Sequence, residues 1–190
     1  EVLFNDGNLL VDRLNGTDFK YSTRSFFQVN LPVYEQTLLK IMNYLSSTSK
    51  KTVIDLYSGV GSIGLTVVGN NEQLIMIETD AEASAQAQEN IKSTKYQRMI
   101  TASAEESLSY ITGKESVIVD PPRAGLHSKV RSRLIEVKPK EIIYLSCNPS
   151  TQARDVKELI DAGYKITSAQ GFNFFPRTPH IESLIILSHN

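Results

Sequence analysis

From residue 51 onward the chain alternates short apolar runs with helix-length segments. TVIDLY, LIMIE, SVIVD and EIIYLS read as strands, and helical patterns separate them. Runs this apolar, with helices on either side, are buried on both faces. That is the signature of a mostly parallel sheet covered above and below. A weaker strand is expected at about residues 98–102, with AEESLSYI a helix after it. YKITSAQGF and IESLIILS follow each other with no helix between them. The expectation is an α/β fold with seven strands, the last of them antiparallel. Upstream, Asn15-Gly16 sits between two alternating runs, which predicts a tight β-hairpin over residues 8–22. A one-sided apolar stripe predicts a helix at about residues 33–46, and SSTSKK is a polar connector.

The 190 residues suffice for one domain with a real core. We divide them into a hairpin and linker, 1–30, taken as the remnant of another domain, and an α/β domain, 31–190. A single cysteine rules out a disulfide framework or a four-cysteine cluster within these residues. No run approaches the roughly 18 apolar residues of a membrane-spanning helix. The opening EVLFNDGN lacks the features of a secretory leader, so a cytoplasmic location is expected. The chain starts on Glu1 in strand-like sequence, as a piece of a longer protein would. A net charge of −1 argues against strong non-specific nucleic-acid binding by these residues alone.

The chemistry-bearing residues fall at strand ends. Gly59-x-Gly61-x-x-Gly64 follows the TVIDLY strand and opens a helix, which suits a dinucleotide or another adenosine ligand. Glu78 ends the next strand, where a carboxylate can take ribose hydroxyls. Asp55 lies just before the glycines. It would repel a pyrophosphate but could accept hydrogen bonds from the amino group of a methionine moiety, which favours S-adenosylmethionine. Asp120 opens DPPRAG at the end of a further strand. Cys147 stands between the strand EIIYLS and a helix from about residue 151, whose expected inner face is Ala153, Val156, Leu159 and Ile160. A thiol near a helix N-terminus is expected to have a lowered pKa. Ligands of open α/β sheets bind outside the carboxyl ends of the strands, so these ends point at one crevice. Phe172, Phe174 and Phe175 either line a base pocket or cap the core, and His180 reads as structural.

In FFQVN, DLYSGVGSIGL, DPPRAGL, YLSCNPSTQARD and FFPRTPHIESL the chain resembles the RNA uracil-5-methyltransferase family, across about residues 26–187. The resemblance implies a Rossmann-like class I methyltransferase domain using S-adenosylmethionine, with no metal. It places Gln28, Tyr57, Glu78 and Asp120, beside Asp55 and Gly59, at the cofactor. It makes Cys147 the nucleophile and Glu182 the general base, with Arg123 facing the target nucleotide. The implied substrate is a uridine in RNA, 23S ribosomal RNA first and transfer RNA second. An RNA-binding domain ahead of this one and a monomeric state are further expectations. Ser62 and Ser103 stand where relatives often carry Asn or a larger polar residue. Three other readings remain: an amino-group methyltransferase, an NAD-dependent oxidoreductase, and a degenerate methyltransferase domain that only binds RNA. Against the first, Arg123 replaces the aromatic residue usual after Asp-Pro-Pro. Lys129, Arg131, Arg133, Lys138 and Lys140 form a candidate RNA-facing edge.

Overall fold

The structure, a computed structural model, describes residues 9–48, 52–70 and 72–189. Residues 1–8 of the expected first segment and 49–51 of the polar connector lie outside the described residues. Strands β1 (Leu9–Leu14) and β2 (Thr17–Ser22) form the expected hairpin. Its turn has Asn15 at φ 47° and Gly16 at φ 80°, the left-handed pair that a two-residue connection needs. The hairpin is stitched to the rest of the chain. Asn90 exchanges hydrogen bonds with the backbone of Lys20, and the Ser22 amide donates to Gln86 Oε1 at 2.8 Å. Leu14 and Phe19 enter the main hydrophobic core.

Helix α1 (Leu31–Ser46) begins with proline in its first turn, where no intrahelical donor is lost. Then follow β3 (Thr52–Leu56), α2 (Ser62–Val67), β4 (Gln73–Glu78), α3 (Ala81–Asn90), β5 (Gln97–Thr101), β6 (Ser116–Val119), α4 (Ser128–Val137), β7 (Glu141–Ser146), α5 (Pro149–Asp161), β8 (Lys165–Phe172) and β9 (Glu182–Ser188). The seven-stranded sheet runs β5-β4-β3-β6-β7-β9-β8. Pairs from β5 to β7 are parallel, and β9 is antiparallel to both β7 and β8. The last strand thus lies inside the sheet, between β7 and β8. Successive strand residues face opposite layers. Val53, Ile118 and Ile143 pack with α1 and α2, while Ile54, Val117 and Ile142 pack with α4 and α5.

Two local expectations are corrected. AEESLSYI is not a helix but two 3-10 turns, Ala104–Glu106 and Leu108–Tyr110, joined at Ser107. Serines at 103, 107 and 109 offer competing side-chain bonds, and Ser103 Oγ donates to Glu106 at 2.9 Å. The inner face of α5 is Gln152, Asp155, Val156 and Leu159, while Ala153 and Ile160 are exposed. Two polar side chains occupy core positions because each has backbone groups to satisfy there. Phe172 and Phe174 are buried, with Phe175 packed against the same core, so the three cap the core.

Candidate active site

The strand order reverses at β3, whose neighbours β4 and β6 lead away on either side. A crevice opens there at the carboxyl ends of the strands. Because β9 runs antiparallel, its first residue, Glu182, reaches the same rim. A cavity of about 510 Å³ lies over these ends. It is lined by Gln28, Tyr57, Gly59, Glu78, Asp120, Arg123, Cys147 and Glu182, with Arg24 and Phe26 at its hairpin side. A second space of about 510 Å³ shares Tyr57, Glu78, Thr79 and Pro122 with it and continues past Ala102 and Ser103. The two form one elongated cleft.

Of the nine expected site residues, Asp55 is the one absent from the cavity wall. It is fully buried, and its Oδ2 accepts from the Gly64 amide at 2.9 Å. Gly64 has to be glycine for this close approach, since a Cβ would stand 2.8 Å from that oxygen. Burial pushes the Asp55 carboxyl up to about 7. Glu78 accepts from the Gly59 amide (2.9 Å) and the Asp80 amide (2.8 Å), which orients its carboxylate into the cleft. Tyr57 holds a left-handed backbone, φ 62°, rare for an aromatic residue, and borders both halves of the cleft.

Glu182 is 4% exposed, so it is not an edge residue facing water. Burial pushes its carboxyl up to about 7, against the opposing pull of the Arg123 charge. Asp120 is held well above the usual carboxylate range by burial, and then by the charges of Glu182 and Asp55. The Cys147 thiol is pushed up from its ordinary value by burial, then by Glu182 and Asp120, with Arg123 opposing. This reverses the expected lowering. Asn148, not Cys147, caps α5, and burial is the largest cause of the rise, ahead of the two carboxylates. Arg123 meets His180 Nδ1 at 3.2 Å, which gives His180 a task beside the site. The Arg123 carbonyl accepts from Asn148 Nδ2 (2.9 Å) and Thr151 Oγ1 (3.1 Å).

Arg131 and Arg133 of the candidate RNA-facing edge are engaged with Asp155, Glu158 and Glu136. Lys129, Lys138 and Lys140 are exposed. Ser62 bonds the Tyr34 hydroxyl at 2.8 Å, while Ser103 lines the second half of the cleft. Sequence reasoning gave Arg24 and Gln152 no place at the site and read His180 as structural, although Gln152 lies within YLSCNPSTQARD and His180 within FFPRTPHIESL.

The cleft presents unsatisfied polar groups to a ligand. Gln28 Oε1 and the Tyr57 hydroxyl, on residues of the cavity wall, are buried without a hydrogen-bond partner. Each such group costs about 1–3 kcal/mol, which a ligand's donors would recover. Carboxylates outnumber the cations around the cavity, so a cationic amino-acid ligand fits and a pyrophosphate does not. The residues therefore fit S-adenosylmethionine better than NAD.

Fold and cleft together define a class I methyltransferase domain, and residues 35–142 match the methyltransferase small domain family. Residues 109–190 match the family described as tRNA (uracil-5-)-methyltransferase. The chain belongs to the methyltransferase small domain family, whose model covers more than half of it, and its C-terminal residues are similar to the tRNA (uracil-5-)-methyltransferases. An uncharacterized RNA methyltransferase of Enterococcus faecalis is 37% identical over 98% of this chain and 42% of its own length. The tRNA (uracil-54, C5)-methyltransferase of Pyrococcus abyssi, solved with S-adenosyl-L-homocysteine, superposes with a TM-score of 0.84. It is 33% identical, over 95% of this chain and 44% of that one. The precorrin-6y C5,15-methyltransferase of Geobacter metallireducens shares the fold at 13% identity, with a TM-score of 0.70 over 90% and 94% of the two chains. The present chain thus spans less than half the length of its RNA methyltransferase relatives.

Proposed function

We propose that this chain is the catalytic domain of an enzyme that methylates carbon 5 of a uridine in RNA through a covalent bond to Cys147. The carrying observation is that Cys147, Glu182 and Arg123 line the same cavity as Gln28, Tyr57 and Glu78. An idle structural cysteine would have no reason to share a wall with a buried carboxylate and a cofactor cleft.

S-adenosylmethionine, when bound, supplies an electrophilic methyl group. Gln28 and Tyr57 offer buried polar atoms for its amino-acid part, and Glu78 offers carboxylate oxygens for ribose hydroxyls. Ser103 borders the half of the cleft left for the base. Asp55 acts beneath this surface by fixing the glycine turn through Gly64.

Carbon 5 of uracil is a weak nucleophile. Attack of the Cys147 thiolate on carbon 6 converts the ring to an enolate, whose carbon 5 can accept a methyl group. Arg123 faces the ring edge, where its charge steadies the enolate oxygen. Glu182 then takes the proton from carbon 5. The electron pair restores the double bond between carbons 5 and 6, and Cys147 leaves as thiolate. The uridine must be unpaired or flipped out to reach the cavity.

The test is Cys147→Ala in the full-length protein. Nucleoside mass spectrometry on RNA from a deletion strain complemented with this variant should lack one 5-methyluridine, while S-adenosylmethionine still binds the purified variant by calorimetry. Retained methylation breaks the scheme. Whether the missing nucleoside comes from 23S ribosomal or transfer RNA identifies the substrate. Binding of NAD in place of S-adenosylmethionine would favour the oxidoreductase reading.

A further inference from the structure

Gln152 lies in the first turn of α5 and is 1% exposed. Its Nε2 donates to the Tyr144 carbonyl at 2.9 Å and to the Ser183 carbonyl at 3.0 Å. Both hydrogens of one amide nitrogen are thereby used. Tyr144 belongs to β7, just ahead of Cys147, and Ser183 follows Glu182 on β9. The β7–β9 ladder ends at the pair Ser146↔Ser183. One step further, where Cys147 faces Glu182, no ladder pair sets the spacing of the two strands.

We infer that Gln152 is a positioning residue whose amide clamps the ends of β7 and β9 and so sets the reach of the Glu182 carboxylate toward the ring attached to Cys147. The inference rests on the covalent reading above. The other side-chain anchors of this region do not reach β9. Asn148 and Thr151 hold the Arg123 carbonyl, and Asp155 holds the Leu126 amide and the Tyr144 hydroxyl. Among the described residues, the bond from Gln152 is the one side-chain hydrogen bond from α5 to β9.

The two halves of the reaction depend on this clamp unequally. Cys147 is joined directly to both β7 and α5, so its attack on carbon 6 does not need Gln152. Glu182 arrives on β9 and meets the ring only as well as β9 is placed against β7. The step at risk moves the carbon 5 proton to a Glu182 oxygen. The C–H electron pair re-forms the carbon 5–carbon 6 double bond, and the sulphur–carbon 6 pair departs with Cys147. Proton transfer of this kind tolerates little displacement, since about 1 Å can cost a factor of ~100.

The experiment uses the full-length protein, S-adenosylmethionine and unmodified total RNA from a strain lacking the gene. Gln152→Met keeps the length of the side chain and removes its donors. Gln152→Asn keeps the amide on an arm too short to span both carbonyls, and stands in if the first variant does not fold. RNA carrying 5-fluorouridine has no carbon 5 proton and reads adduct formation alone. Either variant should form that adduct within about threefold of the wild-type rate, with unchanged cofactor affinity. On unmodified RNA its turnover should fall at least about tenfold, and a covalent protein–RNA band should build up on a denaturing gel. Wild-type turnover with no added adduct overturns the inference. So do formation and release falling together in step with lost folded protein. Glu182→Gln, run in parallel, separates the layers. If it builds no adduct the covalent reading fails, and if it does while neither Gln152 variant does, only the role of Gln152 fails.

Discussion

Cys147 and Glu182 stand across from each other, one step beyond Ser146↔Ser183, the last pair of the antiparallel β7–β9 ladder. A parallel neighbour in that place would have put its first residue at the opposite rim of the sheet. The reversed strand brings a buried carboxylate to the rim where the parallel strands deliver a thiol. The Glu182 charge opposes the Cys147 thiolate, and the first two predictions concern these two residues.

Cys147 is the single cysteine of these 190 residues, so its alkylation by iodoacetamide can be followed without interference in this chain. The midpoint of the pH profile should lie above the ordinary thiol value, because burial and the Glu182 and Asp120 charges oppose the thiolate. Glu182→Gln should move the midpoint down and Arg123→Gln should move it up. A wild-type midpoint below the ordinary value would show that the helix end prevails.

Glu182 must be ionised to accept a proton, and burial holds its carboxyl at about 7. Decay of the covalent adduct in single-turnover experiments should therefore rise about tenfold per pH unit below 7 and level off above it. Glu182→Gln should lack this limb and accumulate adduct. A pH-independent decay in the wild type would assign the proton to another group.

Asp55 predicts a pH dependence of stability. The folded chain keeps its proton to about 7, whereas the unfolded chain releases it near the ordinary Asp value. Between those values the unfolded state binds fewer protons, so stability falls as pH rises. Asp55→Asn can still accept from the Gly64 amide and cannot ionise. Urea unfolding at pH 5 and pH 8 should show the wild type losing up to ~3 kcal/mol more than the variant. Equal losses would remove Asp55 from the list of strained groups.

Asp155 supports the DPPRAG loop from below. It is fully buried and accepts from the Leu126 amide, the Tyr144 hydroxyl and Arg154, with Arg131 at 3.3 Å. Asp155→Ala should cost about 3–5 kcal/mol, because it strands partners that face a buried carboxylate. The denaturant midpoint reads this directly, and a cost under about 1 kcal/mol would contradict it.

Much of the fold was legible because buried parallel strands leave apolar runs that few other elements produce, as in SVIVD and EIIYLS. The site was legible where a chemistry-bearing residue ends such a run: Glu78, Asp120 and Cys147 all do. Glu182 was visible as a carboxylate ahead of the last run, but its burial was not. The reason is that the insertion of β9 between β7 and β8 depends on tertiary pairing, which leaves no local pattern. Asp55 was assigned to the ligand, and the structure turns it to Gly64 instead. Sequence cannot tell which neighbour a strand-end carboxylate will face. Gln152 was hidden for a further reason. A glutamine in an amphipathic helix reads as surface, and only the two carbonyls beneath it give it a buried task.

The most direct test of the account asks whether sulphur and carbon join. Full-length protein, S-adenosylmethionine and RNA transcribed with 5-fluorouridine would be mixed, digested and mapped by mass spectrometry. The account predicts a methylated fluorouridine nucleotide attached to the peptide that contains Cys147, and none when the cofactor is withheld. A 5-methyluridine-forming enzyme that yields no adduct, or one attached to any other residue, would contradict it.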